Sequence, residues 1–478
     1  MLQFIPNAWR PQMERSHRLI LISMCISLGA VVSAVSSLNV ALPDIARATG
    51  ASTTQLQWIV DAYALVFAGL LLPAGAIGDR LGRRGVLLVG LAIFGGGALV
   101  ATQLSDAGQL IAVRAVMGVG AAMIMPTTLS IITATFPPET RDRAVGVWAG
   151  VAGGSALVGL LAAGLLLEAF NWPSVFGLNA VLALTGAVLT LRFVPAGETE
   201  PAPLDGVGAA LSALGLGGLV YGFIEGPNRG WTSAAVLGAF AAGALLLAAF
   251  VTWELRREHP MLDPRLFKLA GFTSGSLSVF VQFFALFGVI FVLLQYLQFV
   301  LRYTPLQAGA ALAPTALIMV ALAPRVPRLV ERVGARRVGP VGLVLIAAGL
   351  LVAATMGAGA SYWHLLGGLV LLGVGMALAA PPATTAIVSS LPDDKQGVAS
   401  AVNDTAREVG GALGIAVLGS VLASHVGHIG PHIDPANIVD GYQAALQVGA
   451  AALVIGALIV FARAPRRVRR SVAAPAGR

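Results

Sequence analysis

Cysteine is almost missing from this chain: Cys25 is the only one. No intramolecular disulfide can form, and no cysteine-based metal site. Within its apolar run Cys25 reads as a small buried hydrophobe. Lysine is nearly as scarce, with Lys268 in LFKLA and Lys395 in DDKQG the only two. Neither sits in a G-x-x-x-x-G-K-[ST] loop, so the chain has no ATP-binding loop of that kind. Charge of both signs is thin, with Asp, Glu, Lys and Arg together making 11% of the 478 residues. A soluble protein carries about a quarter charged residues. No constellation of nucleophile and base emerges either, so neither an enzyme nor a cofactor is expected.

What is present is apolar: 57% of the residues are hydrophobic. A membrane-spanning helix needs about 20 apolar residues. Punctuation by charge, Pro and Asn yields fourteen candidates, 18–40, 56–77, 85–104, 109–133, 143–166, 174–195, 205–225, 232–252, 272–298, 306–329, 337–358, 362–388, 402–424 and 441–462. The fold class is therefore all-α and polytopic. The first apolar run, Leu19 to Val40, is longer than a signal-peptide core and reads as an uncleaved first helix.

The net charge of +8 does not mark a nucleic-acid surface, because the basic residues punctuate the ends of apolar segments. With both termini cytoplasmic, all but four of the 30 Lys and Arg fall on the inner side. Arg47, Arg229 and Arg302 lie outside and Arg114 within a span. That is the positive-inside pattern of a plasma (inner) membrane protein. The tail RAPRRVRR, Arg463–Arg470, suits anionic lipid head groups.

Two loops resemble each other. GAIGDRLGRRG (Gly75–Gly85) and PRLVERVGARRV (Pro327–Val338) share acid, Arg, Gly and a basic pair in order. Each follows a span that runs inward, which points to a duplicated six-helix unit. PAGETEPAPLDG (Pro195–Gly206) and HPMLDPRLFK (His259–Lys268) read as junctions. The expected organisation is an N-terminal bundle over 1–196, a two-helix insertion over 197–260, and a C-terminal bundle with a basic tail over 261–478.

GAIGDRLGRRG resembles the G-x-L-x-D-R-x-G-R-R/K loop of the major facilitator superfamily, and the whole chain resembles its fourteen-span drug:proton antiporter branch. NVALPDI (Asn39–Ile45), LQWIVDAY (Leu56–Tyr63) and RAVMGVGAAMIMPTTLSII (Arg114–Ile132) match the first, second and fourth helices of that branch. WPSVFGLN (Trp172–Asn179) and REVGGALGIAVLG (Arg407–Gly419) match the sixth and thirteenth. The resemblance implies two six-helix bundles plus two inserted helices, a central cavity and alternating access. It also implies proton-coupled export of lipophilic or cationic compounds, of the multidrug or quaternary-ammonium kind.

The chain departs from the branch at three positions. Ala34 stands where a first-span acid is common, Leu160 where the span-five proline is expected, and Met117 where a span-four Gln is usual. Ala34 and Leu160 motivate a second reading, a lipid or metabolite exporter of the same fold without proton coupling. A third is a non-transporting membrane sensor or scaffold.

The candidate site residues follow from the spans. Asp61 interrupts the apolar run WIVDAYALVFAGLLLPAG, and an acid inside the membrane is costly. Three readings stand for it: a titrating site, an ion-paired or hydrogen-bonded anchor with Arg114 or Tyr63, or an outer cap of span two in contact with water. Asp61 and Arg114 are expected at similar depth. Glu168, Glu225, Asp404 and Glu408 are set aside as lying near span ends.

Cavity candidates are Ser36 and Asn39 on span one and Gln282, Phe284, Phe287, Gln295 and Tyr296 on span nine. Phe280, Phe284, Phe287 and Phe291 share one helix face, which reads as lipid-facing or cavity-lining. Gly75, Gly78, Asp79, Arg80, Gly82, Arg83 and Arg84 form an expected conformational latch, with Arg83 and Arg84 mainly topology signals. Gly146, Gly150, Gly154, Gly159 and Gly164 are expected to support helix packing. No metal site is expected; His425, His428 and His432 read as a solvated loop. The expected partners are the bilayer, a small-molecule substrate and the proton, with the chain acting as a monomer.

Overall fold

The computed structural model describes residues 15–195, 205–258, 260, 262–391, 396–426 and 435–464. The first bundle holds α1 (Arg15–Thr49), α2 (Thr53–Leu81), α3 (Arg83–Ala101), α4 (Ala107–Thr135), α5 (Pro138–Ala169) and α6 (Pro173–Phe193). A hairpin of α7 (Gly206–Arg229) and α8 (Ala234–Glu254) follows. The second bundle holds α9 (Ala270–Gln295), the segments α10 (Pro305–Ala311), α11 (Ala313–Leu322) and α12 (Val326–Val333), then α13 (Ala335–Ala353), α14 (Tyr362–Val388), α15 (Gln396–Val426) and α16 (Pro435–Arg463).

Among the described residues thirteen helices are long and apolar enough to cross a membrane, with α10 to α12 forming one span, Pro305–Val333. The fourteenth is α5, a helix of 32 residues whose apolar stretch is Gly154–Ala169. The tenth span is expected as one helix but is segmented. Pro314, Pro324 and Pro327 each lack an amide proton and fix φ, which interrupts the helical ladder.

The two ends of the molecule differ in charge. Arg80, Arg83 and Arg84 lie at the end where α2 gives way to α3, called the basic end below. The opposite, low-charge end is where α1 gives way to α2. There Ser52 caps α2 by accepting from the Gln55 amide (3.2 Å), while Gln55 accepts from the Ser52 amide (3.0 Å). Such reciprocal bonds satisfy two of the donors a helix start leaves orphaned.

The duplication is visible in the backbone. Thr304 and Gln307 build the same capping box on α10. At the other end of each unit a glycine turns the chain with positive φ, 94° at Gly82 and 92° at Gly334. Only glycine adopts that conformation without strain. One offset, 252 residues, carries Ser52 to Thr304 and Gly82 to Gly334.

Packing within each bundle follows the unit order: α2 on α4, α1 on α5 and α6, and α3 on α4 and α6. In the second bundle α9 packs on α15, α14 and α16, and α13 on α14 and α16. The bundles meet along two seams, α2 with α15 and α5 with α10. The shorter bonds across the seams, 3.4 Å or less, lie toward the low-charge end. Gln57 donates to the Ile415 and Ala416 carbonyls (3.4 and 3.3 Å), Gln298 to the Val40 carbonyl (3.0 Å), and Thr304 to Glu168 (3.2 Å). The α7 helix covers only the first seam, packing on both α2 and α15.

Candidate functional site

Asp61 lies two turns into α2 and is fully buried, at 0% exposure. Ser52 caps α2, and Asp61 has no exposed surface, so the reading of Asp61 as a solvated cap is overturned. Its position is set by the face it shares with Gln57, Trp58, Leu65 and Ala68, three, four or seven residues away. Gln57 bonds α15, while Leu65 and Ala68 pack with Leu216, Val220 and Ile224 of α7 and Ala416 of α15. Trp58 donates its indole N–H to Glu225 of α7 (3.1 Å). The carboxylate is thus enclosed at the seam of α2, α15 and α7, where neither of its oxygens has a hydrogen-bond partner.

Arg114 is at the depth of Asp61 but not beside it. Its Nε donates to the Ile59 carbonyl (2.9 Å), and its guanidinium lies over the Tyr63 ring, 4.1 Å from the centroid. Ile59 and Tyr63 form the α2 face that packs on α4. Residues two positions apart point to opposite sides of a helix, so Asp61 faces away from Arg114. The ion pair between Asp61 and Arg114 is not made, and neither is a bond to Tyr63, whose hydroxyl donates to the Val31 carbonyl (3.3 Å). Arg114 is itself buried (1% exposed), and its two terminal nitrogens have no partner.

A second charged group escaped the sequence reading. Asp404 and Glu408 were expected near a span end, yet α15 begins at Gln396 and Glu408 lies three turns along it, 7% exposed. Glu408, Ala412, Ile415 and Gly419 recur on the face that meets α2. Arg407 holds both acids, with Nη2 3.5 Å from Asp404 and Nε 3.3 Å from Glu408. The same Nη2 lies 3.8 Å from the Met125 sulfur of α4, across the divide between bundles. One cation facing two carboxylates leaves net negative charge when all are ionised. The signal was present in REVGG, an acid beside an arginine on a helix face rich in small residues.

The span-nine candidates separate. The backbone of α9 at Phe280 and Phe284 lies against Gly410 and Gly414 of α15, and the Phe287 ring against Gly411, glycines having no side chains to keep the helices apart; Phe284 is buried, while Phe280 and Phe287 are partly exposed. Gln282 donates to the Ser278 carbonyl (2.8 Å) and Gln295 to the Phe291 carbonyl (3.1 Å), both within α9. Tyr296 turns into the second bundle, stacking on Tyr442 at 4.3 Å and donating to the Gly357 carbonyl (2.7 Å). None of these three polar groups is brought to Asp61. On α1, Asn39 donates to Val35 (2.8 Å) and keeps an unpartnered buried oxygen, while Ser36 donates to Val32 (3.3 Å).

In the expected latch, Gly75 and Gly78 approach Pro126 and Thr127 of α4. Arg83 donates to the Ser130 carbonyl (3.4 Å) and Arg84 to the Leu191 carbonyl (2.8 Å), both inside the first bundle. Those two bonds hold loop to bundle, not bundle to bundle. Arg80 is exposed, and the Asp79 side chain lies outside the described residues. The expected packing strip on α5 is corrected in part. A Cβ at Gly146, Gly150 or Gly154 would meet nothing within 4 Å, because that face of α5 borders open space. Close approach occurs further along, where a Cβ at Gly159 would meet the Ser33 backbone (2.9 Å) and one at Gly164 the Leu306 backbone (2.6 Å). His428, His432 and the tail beyond Ala464 lie outside the described residues.

Twelve spans in two related bundles, with a two-span hairpin beside them and embedded charge where the bundles meet, define a membrane transporter of the alternating-access type. The model of the Major Facilitator Superfamily matches residues 19–415 and 275–477, and the chain belongs to that superfamily. It is 33% identical over 427 residues to the multidrug resistance protein Stp of Mycobacterium tuberculosis, covering 89% of this chain and 79% of that one. It is 36% identical over 411 residues to the methyl viologen resistance protein SmvA of Salmonella typhimurium, covering 85% and 81%. With the multidrug efflux pump LfrA of Mycolicibacterium smegmatis it shares 36% over 386 residues, covering 80% and 76%. Among solved structures, a bacterial homologue of the lysosomal transporter Spinster, inward-facing and unoccupied, matches with TM-score 0.66 at 17% identity, covering 94% and 97%. A peptide transporter bound to sulfate matches with TM-score 0.68 at 15% identity, covering 93% and 94%. These two likenesses concern the fold.

Proposed function

We propose that this protein is a secondary active exporter of lipophilic or cationic small molecules, driven by proton antiport through Asp61. The observation that carries the reading is the buried, unpartnered carboxylate of Asp61 at a seam the two bundles share. An ionised acid there lacks any compensating bond, whereas a protonated one is tolerated in an apolar setting. Gain and loss of one proton therefore changes the free energy of the seam, which is the coupling an antiporter needs. Arg114 supports the reading as a second embedded charge at that depth. The relatives named above are resistance and efflux proteins, which agrees with export.

The substrate class follows from Asp404, Arg407 and Glu408. Their excess of negative charge suits a cation, and the apolar residues around them suit a lipophilic body. The basic end faces the cytoplasm by the positive-inside rule, with both termini inside and the protein in the plasma (inner) membrane. Bonds between bundles at the low-charge end then close the outer side, which makes this state inward-facing. The functional units are 1–196, 197–260 and 261–478. One chain carries both seams and both charged groups, which supports a monomer.

The deciding experiment is dye efflux from reconstituted vesicles with and without an imposed pH gradient. Proton-driven efflux is expected in the parent and absent in Asp61→Asn, with substrate exchange retained. Full energised efflux in Asp61→Asn would sink the coupling role. A second reading, export without proton coupling, draws on Ala34, whose position on α1 carries no acid. Transport indifferent to the pH gradient would favour it.

A further inference from the structure

We propose that Thr53, Gln57 and Asp61 line the route by which the coupling proton reaches Asp61 from the low-charge end. The inference rests on the antiport reading above and adds the path, which that reading leaves open. The three residues lie at i, i+4 and i+8 on α2 and are 1%, 0% and 0% exposed. Each presents side-chain oxygen with no hydrogen-bond partner: Thr53 Oγ1, Gln57 Oε1 and both carboxylate oxygens of Asp61. A buried acceptor left unsatisfied costs about 1–3 kcal/mol. Three in a row on one face of one helix form a continuous polar stripe in an otherwise apolar seam.

The stripe is not something the seam geometry demands. The offset that relates the two capping boxes carries Thr53, Gln57 and Asp61 to Pro305, Gly309 and Ala313. Those residues serve the related seam of α5 with α10, where Gly309 sits against the Leu160 carbonyl without any polar side chain. At these three register positions the polar side chains are on α2 and not on α10. The hairpin insertion is equally one-sided. By bonding Trp58 through Glu225 and Thr54 through Asn228 (2.8 Å), α7 closes the lipid side of the stripe.

Successive turns of a helix put like-facing side chains about 5–6 Å apart. A single water, hydrogen-bonded to both, spans such a gap. A proton from outer water then passes along the file by hops between waters and binds a carboxylate oxygen of Asp61. Gln57 is the gate. Its amide nitrogen is tied to the Ile415 and Ala416 carbonyls, and Gly419 of α15 leaves room for it. Separation of α2 from α15 frees the amide and joins the file to outer water.

The charged groups on neighbouring elements are already engaged. On α7, Glu225 pairs with Arg229 (2.8 Å) and Tyr221 lies against Trp58. On α15, Asp404 and Glu408 share Arg407, and on α4 Arg114 occupies the opposite face of α2. Along the stripe itself Asp61 is the one group that titrates.

The test uses the full chain in liposomes, with ethidium transport driven by a pH step and compared with transport driven by an equal sodium gradient. Thr53→Val and Gln57→Leu keep shape and remove oxygen. Each is expected to slow proton-driven transport at least about tenfold. Gln57→Glu restores an oxygen and recovers most of the rate. If Gln57→Leu does not fold, as judged by thermal melting, Thr53→Val decides alone. Parental rates in the oxygen-deleted variants, with Asp61→Asn inactive, overturn the path and leave the antiport reading standing. A parental rate in Asp61→Asn removes both. Transport that follows sodium and ignores pH also overturns the path.

Discussion

The guanidinium of Arg114 lies over the ring of Tyr63, its central carbon 4.1 Å from the ring centroid, while its Nε donates to the Ile59 carbonyl. A cation is thereby held between α4 and α2 without an acid. Lysine has neither the planar face nor the fork to make both contacts. Arg114→Lys is expected to lower stability by about 1–2 kcal/mol, read as a drop in melting temperature in detergent. Tyr63→Phe, which keeps the ring, should lose less than Tyr63→Leu.

Trp58 and Glu225 form one of two side-chain bonds by which the inserted hairpin grips the first bundle (3.1 Å), the other being Asn228 to Thr54 (2.8 Å). Trp58→Phe removes the first and leaves an aromatic ring in place. Hydrogen bonds to charged groups contribute about 1.5–3 kcal/mol. Amide exchange across the C-terminal half of α7 should therefore quicken by at least about tenfold. Unchanged exchange would mean that apolar packing of α7 on Leu65 and Ala68, with the Asn228–Thr54 bond, holds the hairpin without Trp58.

The glycines of α5 and α15 should respond oppositely to alanine. At Gly414 a Cβ would collide with the Phe284 carbonyl, so Gly414→Ala is expected to cost at least about 1–3 kcal/mol and to reduce folded yield. At Gly150 it would meet nothing, and alanine is the better helix former by about 1 kcal/mol. Gly150→Ala should match or exceed the parent in melting temperature. If α5 uses its glycine strip only in another transport state, transport will fall although stability does not.

Gly82 and Gly334 turn the two related loops with the same positive φ. Alanine at either is expected to cost about 1–2 kcal/mol. The two losses should be similar and additive, since the loops belong to separate bundles. Melting of the single and double variants checks both points.

Glu408→Gln tests the substrate class. It removes one of the two acids that Arg407 holds, so the local excess of negative charge disappears. Export of a cationic dye should fall by at least about tenfold, and export of a neutral lipophilic compound much less. Equal loss for both would assign Glu408 to conformational change.

Much of this architecture was legible in one dimension. Apolar runs long enough to cross a bilayer, punctuated by arginine on alternate sides, imply the spans and their direction, because hydrocarbon tolerates neither charge nor unpaired backbone. GAIGDRLGRRG and PRLVERVGARRV carry the duplication in sequence, and Gly82 and Gly334 carry it in backbone conformation. The depth of Asp61 relative to Arg114 followed from helical rise. The charge on α15 did not, because distance from a span end says little about burial when another bundle lies alongside.

Chain order alone thus determined that this protein spans a membrane fourteen times, in two related six-span units with a two-span insertion, and that an acid and an arginine lie at one depth. Tertiary structure decided what each of them faces. Helix rotation is set by packing against neighbours, which hydropathy does not record. Packing turned Arg114 onto Tyr63, brought the glycine face of α15 against the backbone of α9, and left the Asp61 carboxylate alone between α2, α15 and α7.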